Sequence, residues 1–484
     1  MKETFRKYHI SVLWLMLISL TFAVRYYFVQ FLPTYLWSKD SSSYLDTSFQ
    51  WIHTGLWQID IRRGPIYSFF AGLILKAIPN LSAVMIVQHV LGALSILVAV
   101  ALLCRLYSKN KHWLILICGF AYALYELPLY LEHLIRNETL LLFFGTIALS
   151  AWALALNSNY SIFWLSISGL TLALFNLTKN LFLPMPFLVL GIIFYQKIKY
   201  QTPFWKPVAF FLSALLIPYL FVNFQNRSNL SQTEQSSYAG VQLYGRVAQW
   251  TYLEGGKYLD IKELIREPVK KYQTFKKLDN NVVIKKLIVP VIETHLKQQG
   301  LGFSEVNRVC RDLAFEAITK HPQLFAKQVL ADLYKIHFQS GYRVRLLKTN
   351  DLRDLIDDMQ QIPNPDPLMH HTEVVTTLQK ITNNETFLPY YRWVKCAWLF
   401  EFLPPVFLTT ALLPFLFWIE PTPRKYFWLT LGGLWYFNIF LLATVGRPLN
   451  RYFVPLAPIM FWTLTGTLLW VFGKIRRSNN LTQT

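Results

Sequence analysis

Cysteine is scarce in this chain: four in 484 residues, namely Cys104, Cys118, Cys310 and Cys396. No two stand at metal-ligand spacing, and three fall in or beside apolar segments, which excludes a disulfide framework and a cysteine-based zinc site. Acidic residues are also few, 27 Asp and Glu against 47 Lys and Arg, and the formal net charge is +20. There is no internal repeat and no low-complexity tract. A balance this basic commonly serves nucleic acid or an anionic surface. No basic stripe is interleaved with a soluble fold, so nucleic acid is set aside. Anionic lipid headgroups and a phosphate-bearing substrate fit better.

Apolar residues are abundant instead: 54% of the chain is hydrophobic, 16% is aromatic and the mean hydropathy is +0.31. They come in blocks, and blocks longer than about 18 residues read as membrane spans. About ten spans are expected. They lie near Ile10–Phe28, Leu81–Leu106, Trp113–Tyr130, Thr139–Leu156, Ile162–Leu177, Leu181–Tyr195, Val208–Phe224, Trp393–Ile419, Tyr426–Val445 and Tyr452–Phe472. The basic start, Met1 to Lys7, leads into an apolar run with no small-residue cleavage site. It reads as a retained signal anchor.

Short loops rich in Lys and Arg mark the cytoplasmic side. They hold Lys2, Arg6 and Lys7; Arg105, Lys109 and Lys111; Lys197, Lys199 and Lys206; Arg424 and Lys425; and Lys474, Arg476 and Arg477. Both termini then face the cytoplasm, and two long segments fall outside. One is a first external loop, 32–65. The other is an external, periplasmic domain over 225–390 that turns polar. It separates an N-terminal transmembrane body, 1–224, from C-terminal transmembrane helices, 391–484. Val282–Gln299 and Glu305–Phe338 carry apolar residues at helical spacing, among them Leu313, Ala317, Leu324, Ala326 and Leu330. The external domain is therefore expected to be mostly helical, and Asn350–Asn384, rich in Pro, Asp and Asn, to be loop. The fold class is an all-α polytopic membrane protein.

The outward short loops carry an unusual set of ionisable groups near span ends: Asp40, Asp46, Asp60, Arg62, Arg63, Glu132, His133, Arg136, Glu138, Lys179, Arg447 and Arg451. Such charges often only mark the interface and snorkel. The cations on this side oppose the orientation bias, and ionisable groups at membrane depth are functional suspects. Asp40 reads either as a functional carboxylate or as the N-cap of a helix running through Tyr44, a role Ser41 to Ser43 fill equally well. Asp46, on another face of that helix, reads as solvated. Lys179, Arg447 and Arg451 read equally as interface anchors and as anion ligands. His53 and His133 lack ligand spacing and read as polar surface histidines. Gln88 and His89 read as hydrogen-bond partners between helices. Glu401 falls mid-span beside a proline pair and carries no catalytic assignment.

Lys39-Asp40-Ser41-Ser42-Ser43-Tyr44-Leu45 follows the first span. Gly55 and then Arg62-Arg63-Gly64-Pro65-Ile66-Tyr67 come after it. This order resembles the first external loop of the GT-C superfamily of polytopic glycosyltransferases, to which bacterial relatives of protein O-mannosyltransferases and the lipid A aminoarabinose transferase belong. Gly64 stands where many relatives have proline, and Ser68 where a second proline often follows the tyrosine. Further pieces fall in order: Arg25, Arg136-Asn137-Glu138-Thr139-Leu140, Thr178-Lys179-Asn180, the helix-to-proline element Ala317 to Pro322, and Arg451-Tyr452-Phe453-Val454-Pro455-Leu456-Ala457-Pro458. The resemblance spans most of the chain.

It implies a GT-C-like body of about ten transmembrane helices with a mostly helical external domain, in a bacterial inner membrane with the site facing the periplasm. The implied partners are a polyprenyl-phosphate-linked sugar and membrane lipids, with no nucleic acid. Asp40 would be the catalytic base. Arg62, Arg63, Lys179 and Arg451 would hold the donor phosphate, and Tyr44, Tyr67, Glu132, Glu138 and Tyr452 would position substrate. Such transfer needs a carboxylate to take the acceptor's proton and fixed positive charge for the departing phosphate. No cofactor is required. Some members bind a divalent metal, for which no spacing here speaks. The rival from another class is a transporter or flippase for an anionic lipid-linked glycan. It would want charges along the spans and broken helices near mid-membrane, rather than charges gathered at one face.

Overall fold

The structure is a computed structural model. It describes residues 2–55, 57, 64–158, 160–179, 181–201, 204–229, 239–273, 281–338, 356–357, 359–362, 365–383, 405–420, 424–444 and 455–481. Among these the chain is helical, with no strand beyond one isolated parallel bridge between Leu36 and Leu134. Contacts divide it into two compact units. One comprises Met1–Asn229, Ser340–Tyr436 and Leu449–Thr484, and the other Leu230–Gln339 and Phe437–Pro448.

The first unit opens with α1 (Lys2–Phe31), α2 (Lys39–Thr54), α3 (Pro65–Ala77) and α4 (Leu81–Leu106). It continues with α5 (His112–Ala123), α6 (Glu126–His133), α7 (Glu138–Asn157), α8 (Ile162–Thr178), α9 (Met185–Tyr200) and α10 (Trp205–Asn229). Among the described residues five helices are long and apolar enough to cross a membrane: Tyr8–Phe31, Leu81–Leu106, Glu138–Asn157, Trp205–Gln225 and Ala457–Ile475. Pro65–Ala77, Ile162–Thr178 and Leu408–Ile419 are shorter apolar helices. α7 is the most enclosed of the long ones, packed between α4 and α8, while α10 packs on α8. On their outer faces α1 and α10 expose Leu15, Met16, Leu216, Ile217, Leu220 and Phe221. A surface of this kind suits hydrocarbon rather than water. The chain is an integral membrane protein.

The expected span Trp113–Tyr130 is instead two helices, α5 and α6, parted at Leu124 and Tyr125. Pro128 explains the break. It offers no N–H, and its ring would clash with the carbonyl four residues earlier, so α5 cannot run on through it. The proline is tolerated in the first turn of α6. This break turns α6 into a short buried helix that delivers Glu132 and His133 to the interior.

In the second unit α11 (Ala239–Val247), α12 (Leu259–Gln273), α13 (Asn281–Gln298), α14 (Phe303–Lys320) and α15 (Pro322–Phe338) surround one core. Val241, Tyr244, Ile265, Ile288, Ile292, Val309 and Leu313 are its centre. The helical spacing over Glu305–Phe338 is divided between two helices at His321 by Pro322, and the apolar stripe changes phase there. Leu313 and Ala317 are buried, whereas Leu324, Ala326 and Leu330 are exposed. The inward face of α15 mixes polar and apolar groups: Asp332 is buried against Arg246 of α11, with Gln328 buried one turn before it and Ile336 one turn after.

The first unit resumes with α16 (His371–Asn383), α17 (Pro405–Ile419) and α18 (Arg424–Thr444), the last shared with the second unit, and ends with α19 (Ala457–Leu481). α16 replaces part of the loop expected over Asn350–Asn384. Val374, Val375 and Leu378 give it a buried face, and the Asp366 carboxylate accepts from the backbone N–H of Leu368 at 2.9 Å just before it. Composition masked that periodicity.

Candidate active site

The first external loop is tied to α6 by its backbone. Leu36 N–H donates to the His133 carbonyl at 3.0 Å, and Ile135 N–H donates to the Leu36 carbonyl at 3.1 Å. Two residues after that bridge, Ser38 caps α2 in a capping box with Ser41. Asp40 is therefore not the cap. It lies in the first turn, with its side chain 31% exposed, and its carboxylate accepts from Nη2 of Arg136. Ser68 Oγ donates to the Tyr44 carbonyl and Ser48 Oγ to the Ser68 carbonyl, each at 2.8 Å, which locks α2 onto α3. Tyr44 and Tyr67 are buried and meet edge to face at 5.4 Å.

Arg136 is the hub. Its guanidinium is buried between Asp40 and Glu138, with Nε 3.8 Å from Glu138 Oε2. Burial opposes its charge, but Glu138 and Asp40 outweigh that cost and hold its pKa above the ordinary arginine value. Glu138 opens α7 at 1% exposure, and among the described residues its Oε2 has no hydrogen-bond partner. A buried carboxylate oxygen left unpaired is costly and invites a donor from a ligand. Tyr67 lies within electrostatic reach of Glu138, Arg136 and Tyr44. Asp40, Tyr44, Tyr67 and Glu138 thus gather around Arg136. The sequence showed Arg136 among the outward cations, but it was not among the residues assigned a role there.

Lys179 follows α8, whose last carbonyls form one wall. Asn137 Nδ2 donates to the Thr178 carbonyl at 3.4 Å. Gly64 packs on that same carbonyl and on that of Leu177, so closely that a Cβ would overlap both oxygens. Glycine at this position, in place of a proline, follows from space alone, since its φ of −65° suits any residue. Gly64→Ala is expected to cost about 1–3 kcal/mol, as overpacking does. A lowered melting temperature in detergent would register it. The backbone of Gly64 thus lies against the end of α8, beside Lys179. Arg62, Arg63, Arg451 and Tyr452 themselves lie outside the described residues, as do Asp60, Glu401 and Arg447. Asp46 is exposed.

Behind this face is a second, fully buried polar chain. Glu132 accepts from Arg25 Nη2 at 2.7 Å with Oε1 and meets His89 Nδ1 at 2.9 Å with Oε2. Both carboxylate oxygens are engaged. His89 Nε2 lies 2.9 Å from His133 Nδ1, and His133 Nε2 lies 2.7 Å from the Thr34 carbonyl. Gln88 accepts from Tyr67 O–H at 2.7 Å and donates to the carbonyls of Glu132 and Leu134 at 2.8 and 2.7 Å. Gln88 and His89 are the interhelical partners their position suggested. His133 is not a surface histidine: it is buried, and burial pushes its imidazole well below the usual value. Burial pushes Glu132 up, but Arg25 and His89 pull it further down, so it stays ionised. His53 is the exposed one, and it bonds Asp366 at 2.7 Å. Among the described residues no group of three or more His, Cys, Asp or Glu is placed to hold a metal ion. The Arg136 guanidinium sits between Asp40 and Glu138, so these carboxylates do not fit a metal.

No family model and no curated protein matches the chain. Among solved structures it resembles the apo oligosaccharyltransferase of Archaeoglobus fulgidus, at 14% identity and a TM-score of 0.48, over 99% of this chain and 52% of that one. It also resembles the oligosaccharyltransferase AglB of the same organism in complex with an inhibitory peptide and a dolichol-phosphate, at 14% identity, a TM-score of 0.47 and the same 99% and 52% coverage. A third likeness is to ArnT of Cupriavidus metallidurans bound to undecaprenyl phosphate, at 13% identity and a TM-score of 0.35, over 92% and 77%. The chain spans about half the length of the oligosaccharyltransferases it matches. With every TM-score below 0.5, none of these likenesses carries a residue assignment, and the site rests on its own geometry.

Proposed function

We propose that the chain is a GT-C-type membrane glycosyltransferase that moves a sugar from a polyprenyl-phosphate donor to a hydroxyl or similar acceptor of the cell envelope. The observation that carries this reading is the Asp40–Arg136–Glu138 cluster: a partly exposed carboxylate held by a buried guanidinium, beside a buried carboxylate oxygen that makes no hydrogen bond among the described residues. It stands on the loop whose residues carry the resemblance to that superfamily.

In this reading Asp40 takes the proton of the acceptor as its oxygen attacks the anomeric carbon. The bond from that carbon to the phosphate oxygen breaks, and the polyprenyl phosphate leaves with the electron pair. Attack opposite the leaving group inverts the anomeric centre. Arg136 keeps Asp40 ionised and aimed, and Glu138 Oε2 accepts a hydroxyl of the sugar or acceptor. Lys179, with Arg62, Arg63 and Arg451, supplies the positive charge for the departing phosphate. The described cluster has two carboxylates to one guanidinium, so the phosphate needs those further cations. The site faces the periplasm or cell exterior of a bacterial inner membrane, and the helical segment over 225–390 is external.

The test is a transfer assay in liposomes with purified protein, radiolabelled polyprenyl-phosphate sugars and envelope glycans, lipids or peptides as acceptors. Label leaving the prenyl-phosphate pool for an acceptor, with inverted configuration, is the expected result. Labelled donor that crosses the bilayer intact, with no transfer, would make the protein a flippase.

A further inference from the structure

The buried chain behind the site poses a question of proton count. Three hydrogen bonds run along it: Glu132 to His89, His89 to His133, and His133 to the Thr34 carbonyl, at 2.9, 2.9 and 2.7 Å. Three bonds need three hydrogens. A carboxylate and two neutral imidazoles bring only two, because a neutral imidazole has one N–H and the carboxylate and carbonyl ends only accept. The row therefore holds one proton more than its neutral histidines account for. A protonated Glu132 would supply it, but the Arg25 guanidinium at 2.7 Å favours the ionised carboxylate. That leaves the imidazoles. His89 is the one beside the carboxylate, and His133, wedged against Phe28 at 4.9 Å with carbonyls around it, is the one burial keeps neutral.

We propose that His89 is an imidazolium locked between Glu132 and His133, and that its proton pins the Thr34–Leu36 segment and so positions Asp40. The pinning follows from connectivity. His133 grips the Thr34 carbonyl, the Leu36–Leu134 bridge continues from it, and Ser38 then caps the helix whose first turn holds Asp40. Loss of the proton removes one of the three bonds and loosens the segment at its inner end. Among the described residues, the charged groups around His89 and its carboxylate are Glu132 from α6 and Arg25 from α1, and the Tyr122 hydroxyl from α5 lies within electrostatic reach of Arg25 and Glu132, as does Tyr125 of Tyr122. Tyr67 from α3 joins through Gln88. None of these supplies a second carboxylate, so the positive charge on His89 depends on Glu132. His89 and His133 are thus positioning residues, and their link to Asp40's role rests on the transfer reading above.

The test uses the full chain labelled with ¹⁵N-histidine in lipid. Imidazolium and neutral imidazole nitrogens resonate apart, and His89→Gln assigns the signal by its loss. The expected result at pH 7 is an imidazolium signal missing in His89→Gln and converted to a neutral pattern in Glu132→Gln. A neutral pattern assigned to His89 in the wild type, or an imidazolium surviving Glu132→Gln, overturns the proposal; wild-type spectra alone decide it where a variant fails to fold, since a spectrum with no imidazolium at pH 7 contradicts it. A second arm follows transfer against pH. The turnover number should fall in step with the loss of the imidazolium signal on the alkaline side, and His89→Gln should lack that step. An unchanged alkaline limb in His89→Gln removes the coupling to Asp40. If no transfer is seen in the wild type, the functional reading fails while the spectra still judge the proton.

Discussion

Asp40→Asn is expected to lower sugar transfer by about 10²- to 10⁴-fold, the range that a positioned general base contributes. Asparagine keeps the shape of the side chain and can still accept from Arg136 through its carbonyl oxygen, but it takes no proton. Because the Asp40 side chain is 31% exposed and Ser38 rather than Asp40 caps α2, the fold should survive. The melting temperature should therefore move little while initial rates collapse. Glu138→Gln should behave differently, since its Oε2, which makes no hydrogen bond among the described residues, is proposed to bind rather than to take a proton. Its loss should appear mainly in KM. Full transfer by Asp40→Asn would remove Asp40 from the chemistry and leave it as a partner for Arg136.

The second large effect is expected far from any loop. Gly92→Ala on α4 places a Cβ inside the Glu132 carboxylate, overlapping Oε1 and Cδ. The carboxylate must then leave Arg25 and His89, and both are buried. Breaking a buried ion pair costs about 3–5 kcal/mol, because the remaining charge stays out of water without a partner. Gly191→Ala on α9 is the control, for no atom lies within 4 Å of a Cβ there. It should be neutral or slightly stabilising, as alanine is the better helix former. The two variants should therefore separate clearly in a detergent melting series. Equal melting temperatures would mean that the Arg25–Glu132–His89 contact carries little of the stability.

These two expectations differ in how visible their residues are in the sequence. Asp40 stands in a loop motif with Tyr44 and the Arg62–Tyr67 element, and loop carboxylates next to spans draw notice. Gly92 is one small residue in an apolar span, where small residues ordinarily mark helix contact. Only the structure puts a carboxylate over it. The same holds for His133. Its burial depends on α6 being a separate helix, which depends on Pro128, and on His89 arriving from 44 residues away. Hydropathy alone reads residues 113–130 as one span, although Pro128 was there to be read as a breaker. The apolar blocks did place the ends of α4 and α7 to within a residue. Pro322 and the apolar stripe of Val374, Val375 and Leu378 on α16 were equally local signals, set within longer patterns around them.

Arg136 shows the limit from the other side. One guanidinium among several outward cations has no distinguishing spacing, and its role comes from meeting Asp40 across 96 residues and Glu138 two residues on. A double-mutant cycle between Asp40 and Arg136 would report that coupling directly.

The most direct check is where the Asp40 helix lies relative to the membrane. Asp46 is exposed on α2, one helix with Asp40, so Asp46→Cys in a chain lacking its four native cysteines gives a single surface handle. Labelling of intact cells with a membrane-impermeant maleimide is the measurement. The proposed external site predicts full labelling without permeabilisation. Labelling only after the membrane is opened would place α2 in the cytosol and contradict a site that receives its prenyl-phosphate sugar from outside.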